Sequence, residues 1–246
     1  MAKNQMYLYG KNSVLERLKA DPKSIKTIYL ENSFDTPHIL EAIDAVSVPV
    51  RRVSEKELTK VKRADRLQGI VAAVDEFKYT PFEKFLDGPK DTSLIFVDNL
   101  NDPHNLGSII RIAACFGNFA VVLPRHGSCE VTDAVMHVAS GGENFVPVSM
   151  ANNLSTALLK SKDAGYWVVG TVITDGEDIN KVSLPFPICL VLGSEGKGIR
   201  YGIQKHLDVK VTLPMKGAAL SFNVAMAAAI FSYEITRQKA KSGGKS

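Results

Sequence analysis

The sequence predicts an α/β protein in two parts: a small α/β/α unit, then a larger one built on a mostly parallel sheet. Three observations predict it. Strand-like and helix-like stretches alternate along most of the chain. Several of the strand-like stretches, ICLVL at 188–192 among them, are apolar on both faces, as strands covered by helices on both sides must be. A polar, turn-rich stretch, FKYTPFEKFLDGPKDT at 77–92, separates two such series and reads as a linker. At 246 residues, 45% of them apolar, the chain suffices for one large domain or two small ones.

In the first series a helical pattern at 11–18 precedes the strand IKTIYL (25–30). A helix at 37–46 leads to VPVRRV (48–53), and a helix at 55–62 to GIVAAV (69–74). The second series opens with SLIFVD (93–98), a helix from about 105 to 116 and FAVVLP (119–124). A helix at 132–140, the strand NFVPVS (144–149) and a helix at 154–164 follow. Then come YWVVGT (166–171), PICLVLG (187–193), VKVTLP (209–214) and a closing helix over 221–237. The expected units are therefore 1–76, a linker at 77–92, a main domain at 93–237 and a basic tail at 238–246. No internal repeat or low-complexity stretch is visible.

Composition excludes several classes. Charged residues make up 23% of the chain with both signs present, which excludes disorder. No apolar run approaches the ~20 residues of a membrane span, and the N-terminus MAKNQMYLYG has no signal-peptide core. Three cysteines (Cys115, Cys129, Cys189) without CxxC spacing predict a reduced, cytoplasmic protein. The five histidines share no ligand spacing, so no metal is expected. The charge is uneven: residues 1–75 carry thirteen basic and ten acidic side chains, residues 76–236 thirteen and sixteen, and residues 237–246 four basic and no acidic ones. The densest basic stretch is 51–66, and Arg51, Arg52, Lys62 and Arg63 are its candidates for contact with a phosphate backbone. A solvated helix face carrying the same residues is the competing account.

Familiar nucleotide loops are absent. GSEGKG (193–198) is G-x-x-G-x-G, not the dinucleotide fingerprint, and the terminal GGKS has no chain after it to form a helix over a phosphate. Three segments nevertheless put polar or glycine residues at the carboxyl end of a strand, where open α/β sheets bind ligands. In DNLNDPHNLGSIIRIAACFG (98–117) Asn105 is placed to cap a helix, and Arg111 falls amid an apolar run, where an arginine usually meets an anion or a carboxylate. In LVLGSEGKGIR (190–200) three glycines allow close approach to a ligand, with Glu195 and Lys197 between them. In VTLPMKGAALSFNVAMAAAI (211–230) Ser221 suits a helix cap, which leaves Asn223 unexplained.

In this order and spacing the three segments resemble the motifs of the SpoU/TrmH branch of the SPOUT RNA methyltransferases, over residues 94 to about 237. YGKNSVLERL and RLQGIVAAV resemble, less strongly, the ribosomal-protein-like RNA-binding domain of the branch's bacterial 23S rRNA guanosine 2′-O-methyltransferases. The resemblance implies a trefoil knot, S-adenosylmethionine as methyl donor, and an obligate homodimer with residues of both subunits in each active site. Carried over position by position, the catalytic set is Asn105, Arg111, Glu195 and Asn223. The donor-binding set is Thr171, Gly193, Leu213, Ser221 and Phe222; Phe222 stands where the family usually has leucine, and Ala225 where it has serine. The implied activity is methylation of a ribose 2′-OH in structured RNA, most readily a guanosine of 23S rRNA. A tRNA substrate and a non-catalytic RNA-binding relative stay open as alternatives.

Overall fold

The computed structural model describes residues 5–194, 196, 198–218 and 220–243. The N-terminal part runs β1 (Met6–Tyr9), α1 (Lys11–Ala20), β2 (Ile25–Glu31), α2 (Pro37–Asp44), β3 (Val50–Val53), α3 (Glu55–Val61) and β4 (Ile70–Val74). Its sheet has the order β1-β4-β2-β3, antiparallel except between β2 and β3. Alternation along the strands divides the side chains between two helical layers. Leu8, Ile28, Leu30, Ile70 and Ala72 pack in one core with Val14 of α1 and Ile39 of α2, whereas Tyr9 and Val71 pack with Leu58 of α3. The sequence reading did not include β1.

The C-terminal part follows as α4 (Lys84–Asp87), β5 (Ser93–Val97), α5 (Pro103–Phe116), β6 (Phe119–Pro124), α6 (Asp133–Ala139), β7 (Val148–Ala151) and α7 (Leu154–Asp163). It continues through β8 (Trp167–Thr171), β9 (Glu177–Asp178), β10 (Ile188–Leu192), α8 (Tyr201–Gln204), β11 (Val209–Thr212) and α9 (Val224–Gly243). The seven strands lie in the order β7-β6-β5-β10-β8-β11-β9, and each pairing is parallel. Ile95, Val121, Leu190 and Val211 share a core with Ile109 of α5, Val135 of α6 and Phe231 of α9. Phe96, Val122, Cys189 and Val191 share another with Leu158 of α7 and Ile203 of α8. The doubly apolar strands are thus buried on both faces, and burial pushes the Cys189 thiol far above its ordinary range, leaving it inert.

Boundaries differ from expectation in three places. Helix α5 starts at Pro103 instead of Asn105: Asp102 accepts from the His104 amide (2.9 Å), and proline at the first helical position has its φ already set. NFVPVS is a strand only from Val148, because Gly142–Asn144 forms a 3₁₀ turn that exposes Phe145. The closing helix begins at Val224 and runs to Gly243, taking up most of the expected tail. Gln238 anchors that extension: its Nε2 donates to Val182 O and its Oε1 accepts from Leu184 N. The expected linker also lies packed on the C-terminal part, with Phe82 buried, Thr80 N donating to Val148 O and the Tyr79 hydroxyl accepting from Val131 N.

The two parts share a continuous apolar core, and polar contacts fix how they dock. Arg17 of α1 donates to Asn144 (2.5 Å) and lies 3.5 Å from the wholly buried carboxylate of Glu143. Lys62 Nζ lies 2.5 Å from Asp133, and the Tyr9 ring stacks on His137 at 4.1 Å. Gly141 is required because a Cβ there would lie 2.4 Å from Glu16. Burial pushes the Glu143 carboxyl above the usual carboxylate range, and Arg17 opposes that. Arg17→Met should therefore leave an uncompensated buried acid and cost about 3 kcal/mol in denaturant unfolding. The cost should grow as pH rises and Glu143 is forced to ionise, and Arg17→Met combined with Glu143→Gln should recover most of it.

Candidate active site

One buried residue organises the strand ends. Asp98, the residue after β5, is 0% exposed. Its amide donates to Leu192 O at the end of β10 (2.8 Å). Its carboxylate accepts from the Arg200 amide (2.8 Å) and from the Arg200 guanidinium (2.7 and 2.6 Å). Both ends of the segment 193–199 are therefore fixed on a single side chain and its backbone. Inside that segment Ser194 and Gly198 exchange two backbone hydrogen bonds of 3.1 and 2.9 Å. A Cβ on Gly193 would lie 2.2 Å from the Gly198 carbonyl carbon, so only glycine allows the loop to close. Gly196 and Gly198 adopt φ of +80° and +64°, the left-handed region open to glycine.

The closed loop forms one wall of a pocket at the carboxyl ends of β8, β10 and β11. Thr171, Gly193, Leu213, Ser221 and Phe222, the five residues expected to hold a donor, all line it. Leu192, Val224, Ala227 and Phe231 add apolar surface. The Thr171 hydroxyl donates to Val191 O (3.1 Å), which ties β8 to β10 at the pocket's edge. Phe222 is 45% exposed, so the ring that replaces the usual leucine stands at the rim.

Asn223 Oδ1 accepts from the Ala225 amide (2.8 Å), capping α9, while its Nδ2 donates to Asn105 Oδ1 (3.0 Å). The cap is Asn223, not Ser221 as expected, and Ser221 lies in the approach to the helix and lines the pocket. Asn105 is no cap either. It is buried within the first turn of α5, where it meets Asn223 and joins α5 to α9.

Arg111 departs from expectation more sharply. Two turns along α5 from Asn105, a rise of ~9 Å, it is exposed and has no hydrogen-bond or ion-pair partner among the described residues. The apolar run around it misled the sequence reading, because α5 buries only one side and the backbone behind Arg111 packs on Gly142, whose Cβ would lie 3.1 Å from its Cα. Glu195, like Lys197, lies outside the described residues. Among the expected RNA contacts, Arg51 and Arg63 are exposed and without side-chain partners among the described residues. Arg52 instead donates to the carbonyls of Glu31 (3.2 Å) and Phe34 (3.0 Å), and Lys62 is held in the interface by Asp133. Sequence reasoning missed the part played by Arg200, for which an aspartate closing a buried strand was the only signal. Among the described residues no three His, Cys, Asp or Glu side chains gather into a metal-binding group, and no helix is long and apolar enough to cross a membrane.

Comparison with known proteins agrees with this division. Residues 92–233 match the SpoU rRNA Methylase family, and residues 7–80 match the RNA 2′-O ribose methyltransferase substrate binding domain. The chain belongs to the SpoU family. It is 34% identical over 244 residues to the 23S rRNA (guanosine-2′-O-)-methyltransferase RlmB of Ralstonia nicotianae, covering 97% of this chain and 98% of the relative. To RlmB of Nitrosomonas europaea it is 33% identical over 246 residues, covering 98% and 95%. The SpoU methyltransferase AviRb of Streptomyces viridochromogenes, solved in complex with the cofactor AdoMet, has the same fold (TM-score 0.80, 20% identity, 96% of this chain and 91% of that one). The family resemblance drawn from the three motifs and the α/β architecture are both borne out. In this SpoU-family chain Asn223→Ala should lose the α9 cap and the bond to Asn105 together, lowering stability by about 1–2 kcal/mol in thermal unfolding.

Proposed function

We propose that the protein transfers a methyl group from S-adenosylmethionine to the ribose 2′-OH of a guanosine in 23S rRNA, in the cytoplasm and as a homodimer. The observation that carries the reading is the convergence of Thr171, Gly193, Leu213, Ser221 and Phe222 on one pocket. Its residues fit the donor: the closely approached Gly193 exposes backbone, Leu213, Phe222 and Phe231 give apolar surface for an adenine and a thioether, and Thr171 and Ser221 add hydroxyls. When bound, that cofactor supplies an electrophilic sulfonium methyl.

The chain's own residues have to bind the RNA, align the ribose and help remove the hydroxyl proton. An arginine guanidinium holds its proton tightly and is a poor base. Arg111 is therefore assigned to binding the phosphate of the target nucleotide and to stabilising charge that develops on the 2′-oxygen. The Asn105–Asn223 pair fixes α5 against the end of the pocket, and Glu195 helps to orient the nucleotide.

Within one chain Arg111 is not among the pocket residues, which supports a site completed by a second copy. Met226, Ile230 and Tyr233, exposed at 61%, 38% and 58%, form a helical stripe on α9 suited to that contact. Ala225 and Ala228 of the same helix are buried in their own chain and take no part in that stripe. The family's trefoil knot belongs to the same proposal.

The defining experiment maps 2′-O-methyl sites in rRNA and tRNA from a deletion strain. Loss of one guanosine mark in 23S rRNA supports the reading, and loss confined to tRNA overturns its substrate. Arg111→Ala should retain S-adenosylmethionine binding by calorimetry while turnover falls ~100-fold or more. Activity should survive EDTA, and sedimentation at micromolar concentration should show a dimer.

A further inference from the structure

With Arg52 and Lys62 engaged inside the chain, the N-terminal domain offers fewer free cations than its sequence suggests, and the catalytic domain supplies others. At the carboxyl ends of β6 and β7 a groove of about 340 Å³ opens toward α8, its lining mixed: Pro124, Leu154 and Ile203 beside His126, Asn152 and Arg200. No carboxylate is among its lining residues. Arg125, beside His126, is exposed, and its side chain has no partner among the described residues. Arg200 is locked by Asp98, yet its side chain remains 55% exposed, so one edge of a pre-oriented guanidinium stays open. Next to it Tyr201 is 87% exposed, the most exposed large apolar side chain among the described residues, and its ring stacks on no other there.

We propose that the Arg200 edge of this groove, with the exposed side chains of Tyr201 and Arg125 next to its lining residues, binds a nucleotide of the RNA substrate flanking the methylated one, the base stacked on Tyr201 and the phosphate held by Arg200 and Arg125. An exposed aromatic ring beside an oriented cation is the combination that single-stranded RNA uses, because every base has a face to stack and every step a phosphate to neutralise. The position suits a neighbour of the reacting ribose. Gly198 lines the donor pocket and Arg200 the groove, and two residues of extended chain span at most ~7 Å, about two steps of a stacked strand at ~3.4 Å each. The inference rests on the methyltransferase reading and adds a substrate contact to it.

The test measures binding of a bacterial 23S rRNA transcript across a salt series, with thermal stability and S-adenosylmethionine affinity as controls. Tyr201→Ala should weaken RNA binding about 5- to 150-fold, the range for one lost base stack, and Tyr201→Phe should bind as the native protein does. Arg125→Gln should reduce the salt slope by about one. Arg200 is left unchanged, because its loss would strand the buried Asp98. Native RNA affinity and slope in both Tyr201→Ala and Arg125→Gln overturn the subsite while leaving the methyltransferase reading intact. Intact RNA affinity with altered sedimentation of Tyr201→Ala would make the face a protein interface instead. If the native protein binds no RNA, the methyltransferase reading falls and the subsite with it.

Discussion

A carboxylate with no access to solvent has to be paired, and this constraint shapes the catalytic end of the molecule. Asp98 is wholly buried where β5 ends, and among the described residues only Arg200 reaches its oxygens with a full positive charge. The requirement to neutralise it draws the chain back over the strand ends after β10. What lies between Leu192 and Arg200 is then short of room, which is why Gly193 has to pass against Gly198 without a side chain. The pocket wall follows from an electrostatic requirement a few ångströms beneath it. The same guanidinium lines the groove, so one ion pair shapes both the pocket wall and the groove beside it.

The docking of the two domains obeys similar rules. Apolar surface is continuous across the boundary, but Arg17, Glu143, Asn144, Lys62 and Asp133 set its register. Buried charged groups tolerate misalignment poorly, since a displaced partner leaves the other unpaired. The 3₁₀ turn that carries Glu143 and Asn144 also packs through Gly142 on the backbone of α5 at Arg111. The N-terminal domain thus rests on the element that carries Arg111, the arginine proposed to act on the 2′-oxygen.

Much of the site was legible in the sequence because its determinants are local. Glycines at 193, 196 and 198 announce close approach or left-handed backbone wherever they occur. Strand ends in an α/β sheet place such residues together whatever the loops do. Partners far apart in sequence were not legible. That Asn223 caps α9 and grips Asn105 needs the two helices already packed, and that Lys62 turns inward needs Asp133, seventy-one residues away. Arg111 shows the same limit in reverse: an apolar neighbourhood in sequence became an exposed position in space, because only one face of α5 meets the sheet. Strand β9 escaped because two residues hold no period.

The position of β10 has a consequence for how the molecule is made. It lies between β5 and β8, pairing Cys189 with Leu94 and with Val168, so the centre of the sheet is filled by one of the last strands synthesised. Until that strand leaves the ribosome, one edge of β5 has no neighbour, although β6 and β7 can already extend the other. The N-terminal domain is complete by residue 74 and can fold at once. The catalytic domain has to wait, holding an apolar, unpaired strand edge exposed through roughly half of its own translation, the interval in which a nascent chain most needs a chaperone.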